Sequence, residues 1–382
     1  MARPKIALDA RKVGHPEVGI GRYVLELARH FPSLAPEFEF LLVLDHRLDA
    51  SEVPDGCRQV VLGRFPFEDG VWSKLYSPWW MNTLVPRYLK RAHVSLFHAT
   101  NFVLPLIGCC RYVTTIHDLA FVKTPEAYDS FYRLYLKSLV RIAVRRASIV
   151  IADSEATRSD LTGILKVNPA RISVIHLGVG EEYSVCDDQD YLHRVQRKLQ
   201  LPGRFLLHVG VVQRRKNLEA LLKAGQSALR DGLIDEIVLA GRDGFGAGAV
   251  RQKAKRLGIE GRVRFLGYVP QEFMPGLYNL AQVLVMPSWY EGFGIPVLEA
   301  MACGTPVIAS NVSSLPEVAG NAAMLVSLDD AAELARALRK LLTDSHLWSE
   351  MRGKGLNRAR EFNWTETAAK HLEVYRQVLN QV

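Results

Sequence analysis

Cysteine is scarce in this sequence, and the five cysteines fall into no pattern that binds a metal or builds a disulfide framework. No C-x-x-C pair occurs, two of the cysteines are adjacent, and the count is odd, which argues against structural zinc and a secreted disulfide scaffold. The cysteines are Cys57, Cys109, Cys110, Cys186 and Cys303. A reducing cytoplasm fits this usage.

Long hydrophobic runs are also missing, because no apolar stretch reaches the ~18 residues that a membrane-spanning helix needs. The N-terminal stretch MARPKIALDAR leads directly into a strand pattern, so it is not interpreted as a signal peptide. The sequence has no G-x-x-x-x-G-K-[ST] loop, which disfavours ATP hydrolysis. We expect a cytoplasmic protein, possible contact with the inner-membrane surface, no cofactor and no metal.

The composition is that of an ordinary globular protein, with 48% hydrophobic and 23% charged residues over 382 positions. This length exceeds what a single core usually supports, so two domains are expected. Lysine and arginine outnumber aspartate and glutamate by 48 to 40, a net charge of +8. The excess favours anionic partners such as nucleotides or phospholipid head groups, and a basic solvated surface is the alternative.

Short apolar runs alternate with helical patterns along the whole chain, which predicts an α/β fold. KIALDAR, FEFLLVLD, VSLFHAT, RYVTTIHDL and SIVIADS are the expected strands of a first parallel sheet. RFLLHVGVV, EIVLAG, VRFLGYV, VLVMPS and PVIAS are those of a second one. We therefore predict two parallel-sheet domains facing a cleft, with ligands at the carboxyl ends of the strands.

The predicted division places a first Rossmann-like domain at residues 1–184 and a second one at residues 185–362. A polar, charged segment around 181–203 joins them. The amphipathic pattern of residues 363–382 predicts a terminal helix.

The stretch PSWYEGFGIPVLE, residues 287–299, brackets a glycine-rich turn with two glutamates. Pro296 suits a first helical position, which places Glu299 in the first turn, where unpaired N–H groups favour phosphate. Glu291 can accept hydrogen bonds from sugar hydroxyls, and Glu299 can accept them from a ribose. A sugar nucleotide fits this arrangement; the alternative is that Glu299 only complements the helix dipole.

Three further loops follow predicted strands. Arg214, Arg215 and Lys216 come after one strand, with Asn217 as a possible N-cap, and could neutralise a departing diphosphate. His117 and Asp118 come directly after another. The loop GHPEVGIGRY, with Gly14, Gly19 and Gly21, departs from the dinucleotide fingerprint but offers backbone amides at a helix start. A solvated charge run and an ordinary hydrogen-bonding histidine are the structural alternatives.

Taken in order, these motifs resemble glycosyltransferase family 4, the retaining GT-B enzymes, over almost the whole chain. The resemblance rests on GIGRYVLEL, TIHDL, ADSEATRSDL, VGVVQRRKNLEAL, VRFLGYVP and PSWYEGFGIPVLEAMACGTPVIAS. The E-x7-E element from Glu291 to Glu299 and the RKN element are the most specific. Within the family the sequence looks most like bacterial mannosyltransferases and rhamnosyltransferases of O-antigen and exopolysaccharide assembly.

The resemblance implies that residues 1–184 form the acceptor-side domain, that residues 185–362 form the nucleotide-sugar-binding domain, and that the helix at 363–382 packs back on the first domain. It also implies roles for the residues that match. Lys216 and Arg215 would bind the donor diphosphate, and Gly19 and Gly21 would lie against the phosphate or the acceptor. Some family members carry an arginine directly after the strand-end glycine, where this chain has Val211. Either Arg214 or Arg215 would then supply that charge.

Other matched positions would bind the sugar and the nucleoside. Glu291 would contact the sugar ring, with Gly292, Phe293 and Gly294 contributing backbone amides. His117 would touch the donor sugar near its C6 group and support the reacting face. Glu299 would hold the ribose hydroxyls. Two residues would lie beside the base: Tyr268 and Val269.

The resemblance implies transfer of a hexose with retention, by front-side attack in which the leaving phosphate helps to deprotonate the acceptor. GDP-mannose or GDP-rhamnose is the favoured donor, with a UDP-sugar as the alternative. The favoured acceptor is a growing glycan on a polyprenyl diphosphate, and nucleic acid is not an expected partner. A sugar-nucleotide epimerase and a non-catalytic nucleotide-sugar-binding subunit are the rival hypotheses.

The stretch FPFEDGVWSKLYSPWWMNTLVPRYLKRAHV, residues 65–94, combines aromatic and basic residues. Trp72, Trp79 and Trp80 alternate with cations such as Lys74 and Arg87, a composition that suits an interface with anionic lipid. The alternative is that the aromatics pack under the sheet. Pro78 and Pro86 are expected to break any long helix here.

Overall fold

The computed structural model describes residues 3–14, 19–63, 71–328, 330 and 332–380; within the helix that starts at Val71, the side chains of residues 71–78 are not described. The chain forms two compact units. The first comprises Met1–Leu119, Phe131–Leu177 and Trp364–Val382, and the second comprises Ala120–Ser130 and Gly178–Asn363. The segment Ala120–Ser130 belongs to the second unit, whereas the division predicted from the sequence places it in the first domain.

The strands of each unit form one parallel sheet. In the first unit the order is β3-β2-β1-β4-β5-β6-β7. The strands are β1 Lys5–Asp9, β2 Glu39–Leu44, β3 Cys57–Val61, β4 Leu96–Ala99, β5 Arg111–Ile116, β6 Ile149–Ala152 and β7 Ile172–Val174. In the second unit the order is β10-β9-β8-β11-β12-β13. The strands are β8 Phe205–Val209, β9 Glu236–Ala240, β10 Val263–Gly267, β11 Val283–Met286, β12 Val307–Ser310 and β13 Ala323–Val326.

Helices connect the strands, as the alternating sequence pattern predicts. In the first half of the chain they are α1 Gly19–Leu34, α2 Val71–Arg91, α3 Ala120–Lys123, α4 Ser130–Arg146 and α5 Glu155–Leu165. In the second half they are α6 Gln189–Lys198, α7 Leu218–Arg230, α8 Ala247–Arg256, α9 Met274–Leu280, α10 Ile295–Ala302, α11 Leu315–Ala319, α12 Glu333–Thr343, α13 Ser345–Ala359 and α14 Trp364–Asn380. None of the helices in the described ranges is both long enough and apolar enough to cross a membrane.

The sequence analysis missed one helix and was wrong about another. The polar, charged segment around 181–203 contains α6, which was not identified from the sequence. Helix α2 runs from Val71 through Pro86 to Arg91 instead of breaking. Trp80, Met81, Val85 and Leu89 on this helix are fully buried, and this packing offsets the hydrogen bond that a proline removes.

The C-terminal helix α14 packs against α1 within the first unit, as the fold prediction states. A chain of buried hydrogen bonds holds it there. Tyr375 Oη lies 2.6 Å from His98 Nδ1, His98 Nε2 lies 2.8 Å from Thr115 Oγ1, and Tyr23 Oη lies 2.9 Å from the same Thr115 oxygen. Tyr23 Oη also lies 2.7 Å from His371 Nε2, so the chain joins α14 to β4, β5 and α1.

The direction of every bond in this network follows from one carbonyl. His371 Nδ1 lies 2.7 Å from the Thr367 carbonyl oxygen and must donate to it, so Nε2 accepts from Tyr23. Tyr23 then accepts from Thr115, which accepts from His98 Nε2. With both histidines neutral, every donor therefore has an acceptor, and a proton added to either ring would break the chain.

Burial explains why the histidines stay neutral. It lowers the pKa of His371 to about 4, and it lowers the pKa of His98 well below its ordinary value, with the nearby His371 and His117 rings adding to the effect. Because the folded state resists protonation more than the unfolded state does, each histidine destabilises the fold as pH falls below about 6.5.

We predict that the first unit loses stability between about pH 6.5 and pH 4, by up to roughly 3 kcal/mol for His371. His371→Gln should flatten this dependence, because glutamine does not titrate. The measurement is urea unfolding at pH 7 and at pH 5 for wild type, His371→Gln and the exposed control His193→Gln. Equal pH dependence in all three proteins would contradict the prediction.

Candidate active site

Two neighbouring strands of the second sheet deliver the charged cluster of the candidate site. Strands β8 and β11 pair in parallel, with Leu284 opposite Leu207, so the loops that follow them meet at one edge of the sheet. The loop after β8 carries Arg215 and Lys216, and the loop after β11 carries Glu291. A backbone hydrogen bond of 2.8 Å from Trp289 to Arg215 ties the two loops together.

The Glu291 carboxylate is held by two cations. Lys216 Nζ lies 2.6 Å from Oε1, and Arg215 NH1 lies 2.9 Å from Oε2 and 2.7 Å from the Tyr290 carbonyl oxygen. The hydroxyl of Ser288 donates to Oε1 at 2.6 Å. Arg215 therefore contacts Glu291, whereas the neighbouring Arg214 is exposed and does not take this position.

The charges of this cluster fix its protonation state. Burial alone would raise the pKa of Glu291, but Lys216 and Arg215 outweigh it and hold that pKa far below its ordinary value. The carboxylate is thus ionised, and the three side chains together carry one excess positive charge. Oε1 already accepts two hydrogen bonds and Oε2 accepts one, which leaves one acceptor position on Oε2 for a ligand hydroxyl.

His208, on β8, is a neutral neighbour of this cluster that the sequence analysis did not identify. Its Nδ1 donates to the Val285 carbonyl at 3.0 Å, so Nε2 is the unprotonated nitrogen, and within the described residues it has no hydrogen-bond partner. Burial, together with the Lys216 charge, lowers the pKa of His208 to about 4. A β-carbon on Gly210 would lie 3.4 Å from Lys216 Nζ and 3.7 Å from His208 Nε2, so this glycine leaves room for both.

Helix α10 begins beside Glu291 and carries Glu299. It starts at Ile295 with Pro296 in the second position, so Glu299 lies in the second turn and not, as expected, in the first. Glu299 is buried and accepts a 2.7 Å hydrogen bond from the hydroxyl of Tyr278. The role of Glu299 at a ribose stays a prediction, as does the alternative that it complements the helix.

The loop between Glu291 and α10 is fixed from both sides. Ser314 donates to the carbonyl oxygens of Glu291 and Phe293, and Ser313 accepts from the Glu291 backbone N–H at 2.9 Å. Gly294, the residue directly before α10, has φ of +105°, a conformation that other residues rarely adopt. Gly292 lies in the same loop, and sugar binding by these amides stays a prediction.

The two residues predicted to lie beside the base follow strand β10. Tyr268 is 41% exposed, whereas Val269 is buried. Strand β10 is the edge strand of the sheet, separated from β11 by β9 and β8. The structure therefore does not bring Tyr268 into the charged cluster, and its contact with a base stays a prediction.

His117 belongs to the first unit, where the register of two strands brings it to Asp153. Strands β5 and β6 pair with Ile116 opposite Ala152, so His117 and Asp153 are the next residues on adjacent strands. His117 Nδ1 lies 2.6 Å from Asp153 Oδ2, and Nε2 lies 2.9 Å from the Thr100 carbonyl oxygen. Tyr23 packs edge-on against the imidazole, with the ring centres 5.0 Å apart.

Because both neighbours of His117 are acceptors, both ring nitrogens must donate, and the ring is an imidazolium. Burial alone would lower the pKa of His117, but the Asp153 carboxylate raises it above the ordinary value. The second oxygen of Asp153 is buried and has no hydrogen-bond partner among the described residues. Asp153 is a positioning residue that the motif ADSEATRSDL contains but that sequence reasoning did not single out.

The glycines of the first loop have different surroundings. A β-carbon on Gly21 would lie 2.2 Å from the Lys12 carbonyl oxygen, so glycine is required here for α1 to approach the chain after β1. Gly19 is the first residue of α1, and a β-carbon there would meet nothing within 4 Å. Contact of either glycine with a donor phosphate or an acceptor stays a prediction.

Comparison with known structures identifies the fold. Sucrose-phosphate synthase from Thermosynechococcus elongatus superposes on this chain with a TM-score of 0.80, at 24% sequence identity over 100% of both chains. Two Rossmann-like units with parallel sheets of this kind form the GT-B fold of glycosyltransferases, as predicted from the sequence.

Sequence comparison identifies the family. The model "Glycosyltransferase Family 4" matches residues 18–183, and the model "Glycosyl transferases group 1" matches residues 203–344. O-antigen chain mannosyltransferase B from Escherichia coli is 30% identical over 392 residues, 97% of this chain and 99% of that protein. The chain therefore belongs to glycosyltransferase family 4. The serotype-specific mannosyltransferase WbdA from Escherichia coli is also 30% identical, but the chain covers only 33% of its length.

We predict that Lys216→Met weakens binding of GDP-mannose about 10- to 100-fold, because a charge-assisted hydrogen bond contributes ~1.5–3 kcal/mol. Isothermal titration calorimetry measures the dissociation constant. Lys255→Met, at an exposed position on α8, is the matched control. Circular dichroism establishes that each variant is folded, and an unchanged dissociation constant in folded Lys216→Met would place the diphosphate elsewhere.

Proposed function

We propose that the protein is a retaining mannosyltransferase that moves mannose from GDP-mannose to a hydroxyl of a growing, lipid-linked glycan in O-antigen assembly. The observation that carries this proposal is the cluster of Arg215, Lys216 and Glu291, with its excess positive charge, beside the start of α10. The full-length similarity to an O-antigen chain mannosyltransferase supports the choice of sugar and pathway.

The cluster suits a donor that carries a diphosphate and a sugar. Arg215 and Lys216 stabilise the negative charge that accumulates on the diphosphate as the bond to the anomeric carbon breaks. The remaining acceptor position on Glu291 Oε2 holds a hydroxyl of the sugar ring. Since Glu291 is ionised and buried, its negative charge also stabilises the positive charge that develops on the sugar ring in the transition state.

The reaction that these groups support does not need a side chain to act as the base that deprotonates the acceptor. The acceptor hydroxyl attacks the anomeric carbon from the face that the diphosphate leaves, and a leaving phosphate oxygen takes the hydroxyl proton. One C–O bond breaks, one forms, and the configuration is retained. His117, as an imidazolium, donates hydrogen bonds and is not available as a general base in this state.

We expect an α-mannoside from GDP-mannose and an alkyl α-mannobioside acceptor, since the donor is also α-linked. Proton NMR of the product reports the anomeric configuration, and parallel reactions with GDP-rhamnose and UDP-glucose report donor choice. A β-linked product would refute retention, and transfer from UDP-glucose alone would refute the donor assignment. Conversion of the donor without an acceptor would favour the epimerase, and donor binding without turnover would favour a binding subunit.

We also propose that the first unit contacts an anionic membrane surface, where a lipid-linked acceptor lies. The exposed face of α4 carries Phe131 and Leu134, 79% and 62% exposed, and continues to the exposed Arg141 and Arg145. Apolar side chains followed by cations on one helix face suit a bilayer interface with anionic lipid. In the stretch at residues 65–94, Trp80 is fully buried and therefore cannot contact a membrane.

Other residues of that stretch lie at the surface. Trp79 is 39% exposed, and the cations Arg87, Lys90 and Arg91 are exposed as well. Residues 64–70 lie outside the described residues, as do the side chains of Trp72 and Lys74. Helix α4 is therefore the element on which the membrane proposal rests.

The double variant Phe131→Ser with Leu134→Ser should lose most co-sedimentation with phosphatidylglycerol vesicles. The wild type should bind these vesicles, bind neutral phosphatidylcholine vesicles less, and dissociate at high salt. Phe245→Ser, which removes an exposed aromatic of the second unit, is the control. Retained binding by the double variant, together with loss in Arg87→Ser with Lys90→Ser, would move the contact to α2.

A further inference from the structure

The second unit contains a cavity of about 340 Å³ whose lining includes none of Arg215, Lys216, Glu291 or Glu299. It lies where the start of α7, the start of α8, the end of β13 and the loop after β11 come together. Its volume is at the lower end of the range for small-ligand sites, about 300–1,000 Å³. Its polar, charged and aromatic lining includes Gln213, Arg214, Asn217, Glu219, Lys223, Trp289 and Asp330.

Four polar side chains of this cavity can bind a ligand, whereas Asp330 in the same lining is paired with Arg336. Gln213, Asn217, Glu219 and Lys223 make no side-chain hydrogen bond or ion pair with any residue in the described part of the chain. Asn217 is also held with φ of +51°, and its side chain does not cap the helix that it precedes. An asparagine that starts a helix normally caps it, so this amide is left available to the cavity.

Trp289 forms an aromatic wall of the cavity. It is 47% exposed, although its neighbours Ser288 and Tyr290 are almost completely buried. The hydrogen bond from its backbone to Arg215 holds the loop in place, so the indole is presented from a fixed backbone. A large exposed aromatic on a fixed loop is typical of a binding surface, because it contributes contact area at little cost in entropy.

The chemistry of these side chains favours a neutral ligand with many hydroxyls. Arg214 and Lys223 donate, Glu219 accepts, and the amides of Gln213 and Asn217 do both. The cations Arg214 and Lys223 are balanced by the carboxylates Glu219 and Asp330, so the lining has no net charge that would favour an ion. A pyranose ring has an apolar C–H face for the indole and hydroxyls around its edge for the amides and charged groups.

We propose that this cavity is a second glycan site, which binds neutral sugar residues of the acceptor chain apart from the predicted donor residues. This proposal rests on the proposed function in one respect, which is that the bound glycan is the acceptor chain of the transferase reaction. The site would hold a chain that is already several sugars long, so that long acceptors bind more tightly than short ones.

The test is calorimetric titration with α-linked mannotetraose in the absence of any donor. We expect wild type to bind it, and Trp289→Ala and Gln213→Ala to lose affinity, about tenfold for the tryptophan. Phe245→Ala, which removes an exposed aromatic of the same unit outside the cavity, is the matched control. Gln252→Ala, on the exposed side of α8, is the control for Gln213.

The outcomes separate this proposal from the proposed function. No binding by wild type, or equal binding by wild type and Trp289→Ala, would overturn the second site even in an active transferase. Displacement of the tetrasaccharide by GDP-mannose would also overturn it, because the two ligands would then share one site. Binding that Trp289→Ala abolishes, in a protein without transferase activity, would support the site and refute the function. In active protein, Trp289→Ala should lose the preference for long acceptors, measured as the ratio of KM values for mannotetraose and mannobiose acceptors.

Discussion

The buried Glu291 carboxylate is the constraint on which the candidate site depends. A lone carboxylate at this depth would cost several kcal/mol, and losing one partner of such a pair typically costs about 3–5 kcal/mol. Lys216 and Arg215 remove that cost only if the loops after β8 and β11 keep their relative positions. The backbone hydrogen bond from Trp289 to Arg215 helps to keep these two loops together.

Much of the fold could be predicted because buried parallel strands are continuous apolar runs. The segments around β1, β8 and β11 are of this kind, and they were identified from the sequence. Strand β3, CRQVV, was not, because it lies at the edge of its sheet and is only partly buried. Helix α6 was overlooked because its composition is strongly polar, and a helix with one narrow apolar face resembles a linker.

For the candidate site, the sequence predicts which residues follow the ends of strands, but not which of those residues contact each other. That Lys216 and Glu291 follow parallel strands is visible in the sequence, but their pairing depends on β8 and β11 being neighbours, which the order of segments does not give. Asp153 was missed for the same reason, since its partner lies 36 residues earlier on an adjacent strand. No local pattern indicates His208, an isolated polar residue within a buried strand. The ligand contacts of the individual residues stay predictions.

The position of α14 affects the order in which the chain can fold. His371 and Tyr375, on α14, complete the interior of the first unit. All seven strands of that unit are synthesised before residue 178. During synthesis the second unit, which lies between these parts, can form its own core while the first still lacks a helix. The unit that begins first is therefore finished last, and until then the pocket for α14 between α1 and the sheet exposes apolar surface to the cell.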